Sequence, residues 1–342
     1  MQALILVGGE GTRLRPLTNS VPKSVMPLAG RPFLSYMIDW LGRHGVDEVV
    51  LACGFKADQV REVLGEGGTP RLRYVEEPEP RGTAGAIKFA AEELSGRFLA
   101  LNGDVLTDLD LSALTSYHEQ RGSRATLGLY PVEDATGYGL VRRAEDGAVL
   151  EFLEKPEQPG PGEINAGTYV LEHAVLDLIP NKGEMVSIER DVFPRMIGEG
   201  LYGLPLDGYW MDIGTPDRYL QATWDILERR VQTALGDRLD AEGRLVADDV
   251  DVGADARLEG PALVEDGSRI GSGAVVGPRV AIGPECEIGA GATVESSVLH
   301  AGCRIGEGAT LRGAIVAAGV EVAPGAVVAP GSVIGAGEKV AA

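Results

Sequence analysis

Apolar positions follow two different rules along this chain. Through the first 224 residues, short continuous apolar runs alternate with stretches of helical period. QALILVG (Gln2 to Gly8), VDEVVLACG (Val46 to Gly54), LRYVEE (Leu72 to Glu77) and FLALNGD (Phe98 to Asp104) predict strands. Phe33 to His44, Ala57 to Leu64 and Ala84 to Leu94 predict amphipathic helices. Alternating β and α elements make a doubly wound, Rossmann-like α/β domain, whose ligands belong at the carboxyl ends of the strands. Asp225 to Leu235 reads as a linking helix. The expected division is 1–224 for the α/β domain, 225–245 for the helix and connector, and 246–342 for a separate repeat domain.

In that last part the period changes to six. Val252, Leu258, Val264, Ile270, Val276, Ile282, Ile288 and Val294 are evenly spaced. After one five-residue step come Leu299, Ile305 and Leu311, and after another Val316, Val322, Val328, Ile334 and Val340. A small residue usually precedes each by two positions, as at Ala262, Ser268, Cys286 and Ala309, and Gly often follows, as at Gly253, Gly271, Gly289 and Gly306. A six-residue period fits neither an amphipathic helix nor an alternating strand, but it fits a parallel β-helix of one short strand and one turn per hexapeptide. The pattern resembles the left-handed β-helix family, in which three hexapeptides close one triangular coil, with Gly expected to supply positive φ at the corners.

Composition sharpens this division. All eighteen aromatic residues lie at or before Trp224, so the repeat domain builds its core from aliphatics alone. Glycine, at 48 residues, is about twice as frequent as usual, yet its spacing is not the three of collagen. A net charge of −20 repels the phosphates of a nucleic acid polymer and of anionic lipid. No apolar run reaches the roughly 18 residues of a membrane span. Cys53, Cys286 and Cys303 are too few for a disulfide framework, and MQALILVGGEGTR lacks the features of a signal peptide, which together suggest a cytoplasmic protein.

Candidate chemistry begins where the first strand ends, in GGEGTRLRPLT (Gly8 to Thr18). Gly8, Gly9 and Gly11 let backbone N–H groups approach a phosphate, and Arg13 and Arg15 bring positive charge beside them. No Gly-Lys-Ser/Thr follows as in a Walker A loop, and a dinucleotide fingerprint would need glycine where Leu14 stands. A polar, Pro-rich stretch then runs to the first helix, long enough for a functional loop. In it Lys23, between Pro22 and Ser24, is a candidate phosphate ligand.

GGEGTRLRPLT followed by VPKSVMPLAGRPFLSYMIDWL resembles the sugar-1-phosphate nucleotidyltransferases. The resemblance continues in order through PRGTAGA, LNGDVL, GYG, FLEKP, INAGTYVL, SIERDVFP and GYWMDIGTP, and extends to the appended β-helix. Within the family it is greatest to mannose-1-phosphate guanylyltransferases, whose FVEKP pattern differs here at Leu153. It implies transfer of a nucleotidyl group from a nucleoside triphosphate to a sugar 1-phosphate, with Mg²⁺ as cofactor. A phosphate monoester, with second pKa near ~6, needs little help from a general base. By the same resemblance, Arg13, Lys23, Asp104 and Asp212 are catalytic, the two carboxylates holding the metal. Leu6, Gly8, Gly9, Gly11, Thr12, Arg13, Glu77, Pro80, Gly82, Thr83 and Asp104 bind the nucleotide. Tyr138, Gly139, Glu154, Lys155, Asn165, Gly167 and Asp212 receive the sugar phosphate.

Glu77 bears on base choice. It stands at the offset from Pro80 where related thymidylyltransferases place a base-reading Gln, and a carboxylate accepts from the N1–H and N2–H₂ of guanine. GTP is therefore the favoured nucleotide. Thymidylyl- or uridylyltransfer, another sugar or cyclitol phosphate, and a catalytically silent sugar-nucleotide sensor are the competing readings. His300, beside one five-residue step and near Cys303, is the single place for acyl-transfer chemistry in the repeat domain; packing and homo-oligomer assembly are that domain's plainer roles.

Overall fold

A computed structural model describes residues 1–156, 160–180 and 185–342. The chain forms two compact units, one of Met1–Gly9 with Met37–Trp210, the other of Glu10–Tyr36 with Met211–Ala342.

The first unit is a twisted sheet covered by helices. Its strands are β1 (Gln2–Val7), β2 (Glu48–Cys53), β3 (Arg71–Glu76), β4 (Phe98–Asn102), β5 (Ala125–Val132), β6 (Gly139–Arg143), β7 (Val149–Glu154), β8 (Gly162–Leu171) and β9 (Leu201–Pro205). The order is β7-β6-β8-β4-β1-β2-β3, with β5 between β8 and β9 on a branch. β4, β1, β2 and β3 run parallel, and β8 is antiparallel to β4. All six residues of β2 are buried, as a parallel strand covered on both faces requires. Helices α1 (Phe33–Arg43), α2 (Ala57–Leu64), α3 (Gly82–Phe89) and α4 (Leu111–Arg121) follow strands or precede them. Leu4, Val50, Phe98, Ala100, Leu127, Tyr169 and Phe193 share the core. Because β2 and β3 lie on one side of β1 and β4 on the other, the sheet reverses direction at β1, and its ligand crevice is expected off the ends of β1 and β4.

Three local expectations are corrected. The helix anticipated over Ala84 to Leu94 begins earlier, at Gly82, and gives way after Phe89 to a 3₁₀ turn at Ala91–Glu93. The helix anticipated over Asp225 to Leu235 is α5, Pro216–Leu227, capped by the Thr215 hydroxyl and followed by Arg229 in a left-handed conformation that stops it. The stretch after Gly11 is no open loop: it is built of 3₁₀ turns at Thr12–Leu14 and Lys23–Val25, a helical turn at Leu17–Ser20 and a small hairpin of Pro27–Leu28 with Arg31–Pro32. Leu14, Leu17, Met26 and Leu28 bury their side chains, which fixes it.

In the second unit the hexapeptides form a three-faced parallel β-helix, as the six-residue period requires. One face stacks strands at Arg244–Val246, Ala262–Val264, Val280–Ile282, Val298–Leu299, Ile315–Val316 and Val333–Ile334. The aliphatic register points inward, with Val276, Ile282, Val294 and Leu311 fully buried, Val252 in the first coil 42% exposed and Val340 in the last partly buried. Ser268, Cys286, Ala292, Cys303 and Ala309 fill the interior beside them. Both five-residue steps, Val294 to Leu299 and Leu311 to Val316, fall at the same corner of successive coils, and the strands on either side remain in register.

Of the glycines after the aliphatic residues, Gly277 has the expected positive φ, at 108°, and most of the others do something else. Gly253, Gly271, Gly289 and Gly306 lack positive φ; the left-handed positions are Gly273, Gly291, Gly308 and Gly325, farther round the corner. A Cβ on Gly271 or Gly306 would lie 2.5 or 2.3 Å from a backbone nitrogen of the next coil. These glycines allow the coils to stack closely.

The second face carries Asp251, Arg269, Glu287, Arg304, Glu321 and Lys339 in one column of alternating sign. Its ion pairs include Arg304–Glu321 at 3.7 Å and Lys339–Glu321 at 2.7 Å. Such exposed pairs stabilise little, and the interior column carries the domain. Leu311→Ala, at a fully buried position, is expected to cost about 2–5 kcal/mol, read as a lower denaturant midpoint at unchanged slope.

Candidate functional site

In the first unit the site starts at the sheet's reversal point. Gly8 and Gly9 follow β1, and no atom lies within 4 Å of where a Cβ would stand on either, so this backbone is open to a ligand. One residue after β4, the Gly103 N–H donates to the Leu6 carbonyl at 3.0 Å. A Cβ on Gly103 would fall 2.5 Å from that oxygen. Glycine here draws the end of β4 against β1, with Asp104 the next residue along the chain. Nearby, the Asn102 Oδ1 is buried with no hydrogen-bond partner, an acceptor available to a ligand.

Glu77 leaves β3 with its N–H bonded to the Cys53 carbonyl at 2.8 Å and is 8% exposed. Burial pushes its carboxyl above the usual range, while the Arg81 guanidinium pulls the other way. Pro80 precedes α3. Gly82 has φ 71°, and a Cβ on it would strike the Val186 carbonyl at 2.6 Å. The Thr83 hydroxyl is engaged inside the protein: it donates to Glu189 Oε2 at 2.7 Å and accepts from the Ile188 N–H at 2.9 Å.

The expected sugar residues lie around β6, β7 and β8. Gly139 pairs with Glu154 across β6 and β7, and a Cβ there would meet the Phe152 ring at 2.9 Å. Lys155 takes a left-handed conformation, its N–H donating to the Tyr138 carbonyl at 2.9 Å. Tyr138 meets Trp210 edge-on at 5.4 Å, and Trp210 stacks on Tyr130 at 5.7 Å. Asn165 Nδ2 donates to the Tyr169 hydroxyl at 2.7 Å, and its Oδ1 accepts from the Gly167 N–H at 3.0 Å. One N–H and one lone pair of that amide remain for a ligand. Gly167, φ 69°, sits in a break of the β8–β5 pairing, where a Cβ would press on Asn102.

Sequence reasoning missed the residue that ties these groups together. Glu189, in a π-helical turn Ile188–Val192, accepts from Thr83 and Ser187 at 2.7 and 2.6 Å and from the Tyr169 hydroxyl at 3.4 Å. It thus connects the expected nucleotide residue Thr83 to the expected sugar residue Asn165. Its signal was the SIERD string, whose acidic residue has no spacing rule to mark it. Trp210 was also passed over; its indole N–H fixes the Ala166 carbonyl at 2.9 Å.

The second unit gathers the cations. Gly11, φ 62°, turns the chain where a Cβ would stand 3.1 Å from the Lys23 Cβ. Its carbonyl accepts from the Thr18 hydroxyl and the Leu14 N–H, both at 2.9 Å. Thr12 opens the 3₁₀ turn that presents Arg13. Lys23, 8% exposed, brings Nζ to 3.9 Å from Asp212 Oδ1, and Arg218 donates to Asp212 Oδ2 at 3.1 Å. A Cβ on Gly214 would lie 2.6 Å from the Arg13 guanidinium and 3.0 Å from Asp212 Oδ1. Arg13, Lys23 and Arg218 therefore all lie near the Asp212 carboxylate, positive charge gathered in a strongly acidic chain. Arg218 had no sequence motif to announce it. Arg15 turns away instead, exposed and paired with Glu10 at 3.2 Å.

Asp104 and Asp212 offer carboxylate oxygens, the donor type of a hard divalent cation. Among the described residues there is no group of three or more His, Cys, Asp or Glu that could hold a metal ion. Among the same residues no helix is long and apolar enough to cross a membrane.

Residues 2–229 match the nucleotidyl transferase family, and residues 258–342 match the GMPPB C-terminal domain. The chain is 40% identical over 233 residues to a mannose-1-phosphate guanylyltransferase of Mycobacterium tuberculosis, covering 66% of this chain and 65% of that protein. It is 40% identical over 228 residues to the mannose-1-phosphate guanylyltransferase catalytic subunit beta of Xenopus tropicalis, covering 64% of this chain and 63% of that protein. Each match thus spans just under two thirds of the relative. Mannose-1-phosphate guanylyltransferase 1 of Arabidopsis thaliana is 37% identical over 273 residues, covering 76% and 75%. Among solved structures, HddC from Yersinia pseudotuberculosis superposes with a TM-score of 0.58 at 30% identity, over 65% of this chain and 97% of that one. HddC complexed with GMP-PN gives 0.57, with the same identity and coverage.

Proposed function

The chain belongs to the nucleotidyl transferase family, and we propose on that premise that it joins GTP and mannose 1-phosphate to give GDP-mannose and pyrophosphate. The observation that carries this reading is the set of three cations, Arg13, Lys23 and Arg218, around Asp212. Two substrates that together bring several phosphate charges need such a set in a chain of net charge −20.

An oxygen of the sugar phosphate attacks the α-phosphorus of GTP, the new P–O bond forms in line with the breaking bond, and pyrophosphate leaves. Catalysis is then a matter of placement and charge neutralisation. The Arg13 fork engages two phosphate oxygens, while Lys23 acts as a compact charge near the α-phosphate. Backbone N–H groups around Gly8, Gly9 and Gly11 hold the triphosphate. Mg²⁺, held by Asp104 and Asp212, would offset charge on the transferring group. Glu154 accepts from sugar hydroxyls, Lys155 meets the sugar phosphate, and Asn165 uses its remaining donor and acceptor on the ring.

Glu77 supports guanine. A buried carboxylate is acceptor-only and matches the N1–H and N2–H₂ edge, and the relatives named as guanylyltransferases and the GMP-PN in the HddC complex favour the same base. The test is pyrophosphate release over a matrix of nucleoside triphosphates and sugar 1-phosphates. GTP with mannose 1-phosphate should give the highest kcat/KM, and a wide preference for dTTP or UTP with every sugar refutes the assignment. Glu77→Gln should lower kcat/KM for GTP by about 10-fold or more and narrow its lead over UTP.

A further inference from the structure

The segment Glu10–Tyr36, which carries Arg13 and Lys23, is fixed at three heights along one edge of the β-helix, all inside the second unit. The residues immediately following Val264, Leu299 and Ile334 are Glu265, His300 and Gly335, equivalent positions in alternate coils. A Cβ on Gly30 would lie 2.7 Å from the Glu265 carboxylate, and one on Gly335 would lie 3.4 Å from Pro16. Between these two, His300 meets the segment through Tyr219 of α5.

That middle connection is a directed chain of hydrogen bonds. The fully buried Tyr219 hydroxyl has one proton, and it donates it to the Pro27 carbonyl. His300 Nε2 is 2.9 Å from the Tyr219 hydroxyl oxygen, whose proton is already given to Pro27, so the imidazole is the donor, in its Nε2–H form. Burial lowers His300 to about 4, which leaves the ring neutral at ordinary pH. The carbonyls of Met26 and Leu28, on either side, accept from the Phe33 N–H at 3.1 Å and the Tyr36 hydroxyl at 2.9 Å. Both donors are internal to the segment, whereas Tyr219 reaches Pro27 from outside it. Pro27 stands just beyond the 3₁₀ turn Lys23–Val25, whose last bond, Met26 N–H to the Lys23 carbonyl at 3.3 Å, links it to the lysine.

We propose that His300 and Tyr219 are positioning residues for nucleotidyl transfer, and that the β-helix, through them, sets the place of Lys23. The inference rests on the reading of Lys23 as a ligand of the reacting phosphates. It gives the repeat domain a role in turnover beyond packing or assembly, and it accounts for a histidine buried at the edge of the β-helix against Tyr219.

The test uses the full-length protein with three variants. Tyr219→Phe removes one oxygen and keeps the ring. His300→Leu removes the donor, and His300→Gln restores an N–H near the same place. Tyr219→Phe and His300→Leu are expected to lower kcat by about 10-fold or more with both KM values within about 3-fold, since a displaced Lys23 fails mainly in the transition state. His300→Gln should recover most of the loss. Amide hydrogen exchange over residues 23–32 should quicken in the two damaged variants while the inward strands of the β-helix keep their protection. Wild-type kcat in Tyr219→Phe with unchanged exchange overturns the proposal, as does a loss in His300→Gln equal to that in His300→Leu. If His300→Leu does not fold, Tyr219→Phe decides. If the wild type releases no pyrophosphate with any substrate pair, the enzymatic reading falls and the exchange data alone judge the link from coil to loop.

Discussion

Lys23→Ala is expected to reduce kcat for pyrophosphate release by about 10²–10³-fold, the usual effect of deleting one preorganised charge from a reacting centre. The side chain is nearly buried and held near Asp212, so its ammonium has little conformational freedom to lose when a phosphate arrives. Its effect should fall on kcat more than on nucleotide affinity, because Arg13 and the glycine backbone still hold the triphosphate. Lys23→Arg should rescue poorly: a planar fork does not replace a compact ammonium on a nearly buried side chain whose stem lies close to Gly11. Steady-state kinetics with calorimetric nucleotide binding would separate the two quantities. Turnover within a few-fold of wild type in Lys23→Ala would remove this lysine from the reaction.

Asp104→Asn and Asp212→Asn form the second test, each expected to lower turnover by at least about 10²-fold at any metal concentration. Their binding behaviour should differ. Asp212 lies among Arg13, Lys23 and Arg218, so neutralising it removes a negative charge from beside three cations. The Asp212→Asn protein should bind GTP without metal at least as tightly as wild type, and Asp104→Asn should leave that metal-free affinity close to its original value. Pyrophosphate release and fluorescence titration across a Mg²⁺ series read both effects. Unchanged turnover in either variant would withdraw that residue from metal binding, and a sensor rather than an enzyme would show binding with no release in the wild type.

The β-helix was the most legible part of the molecule, because an inward column selects aliphatic side chains at every third of a turn and leaves a period that nothing else imitates. The strands of the first unit were legible for a similar reason, since parallel strands buried on both faces read as continuous apolar runs. The function of individual glycines was not. Gly271 and Gly273 look alike in a sequence, yet one admits the next coil and the other adopts a left-handed turn. The stretch from Arg15 to Pro32 looked like a polar loop because its Pro and Ser content hid the buried Leu17, Met26 and Leu28. At the site, motif residues beside glycines could be marked in advance. Glu189 and the Tyr219–His300 pair could not, because they act through contacts across long sequence separations that no local spacing records, and Arg218, only six residues from Asp212, belongs to no motif.

The two five-residue steps at one corner of the β-helix show how this architecture separates chain length from side-chain phase. Inside a strand, loss of one residue would swap its inward and outward faces. At the corner after Val294 and again after Leu311, a residue is missing, yet Leu299 and Val316 still point into the core and pair with the coils above and below. The corners act as expansion joints: they absorb a change in contour length while each strand keeps its orientation toward the interior.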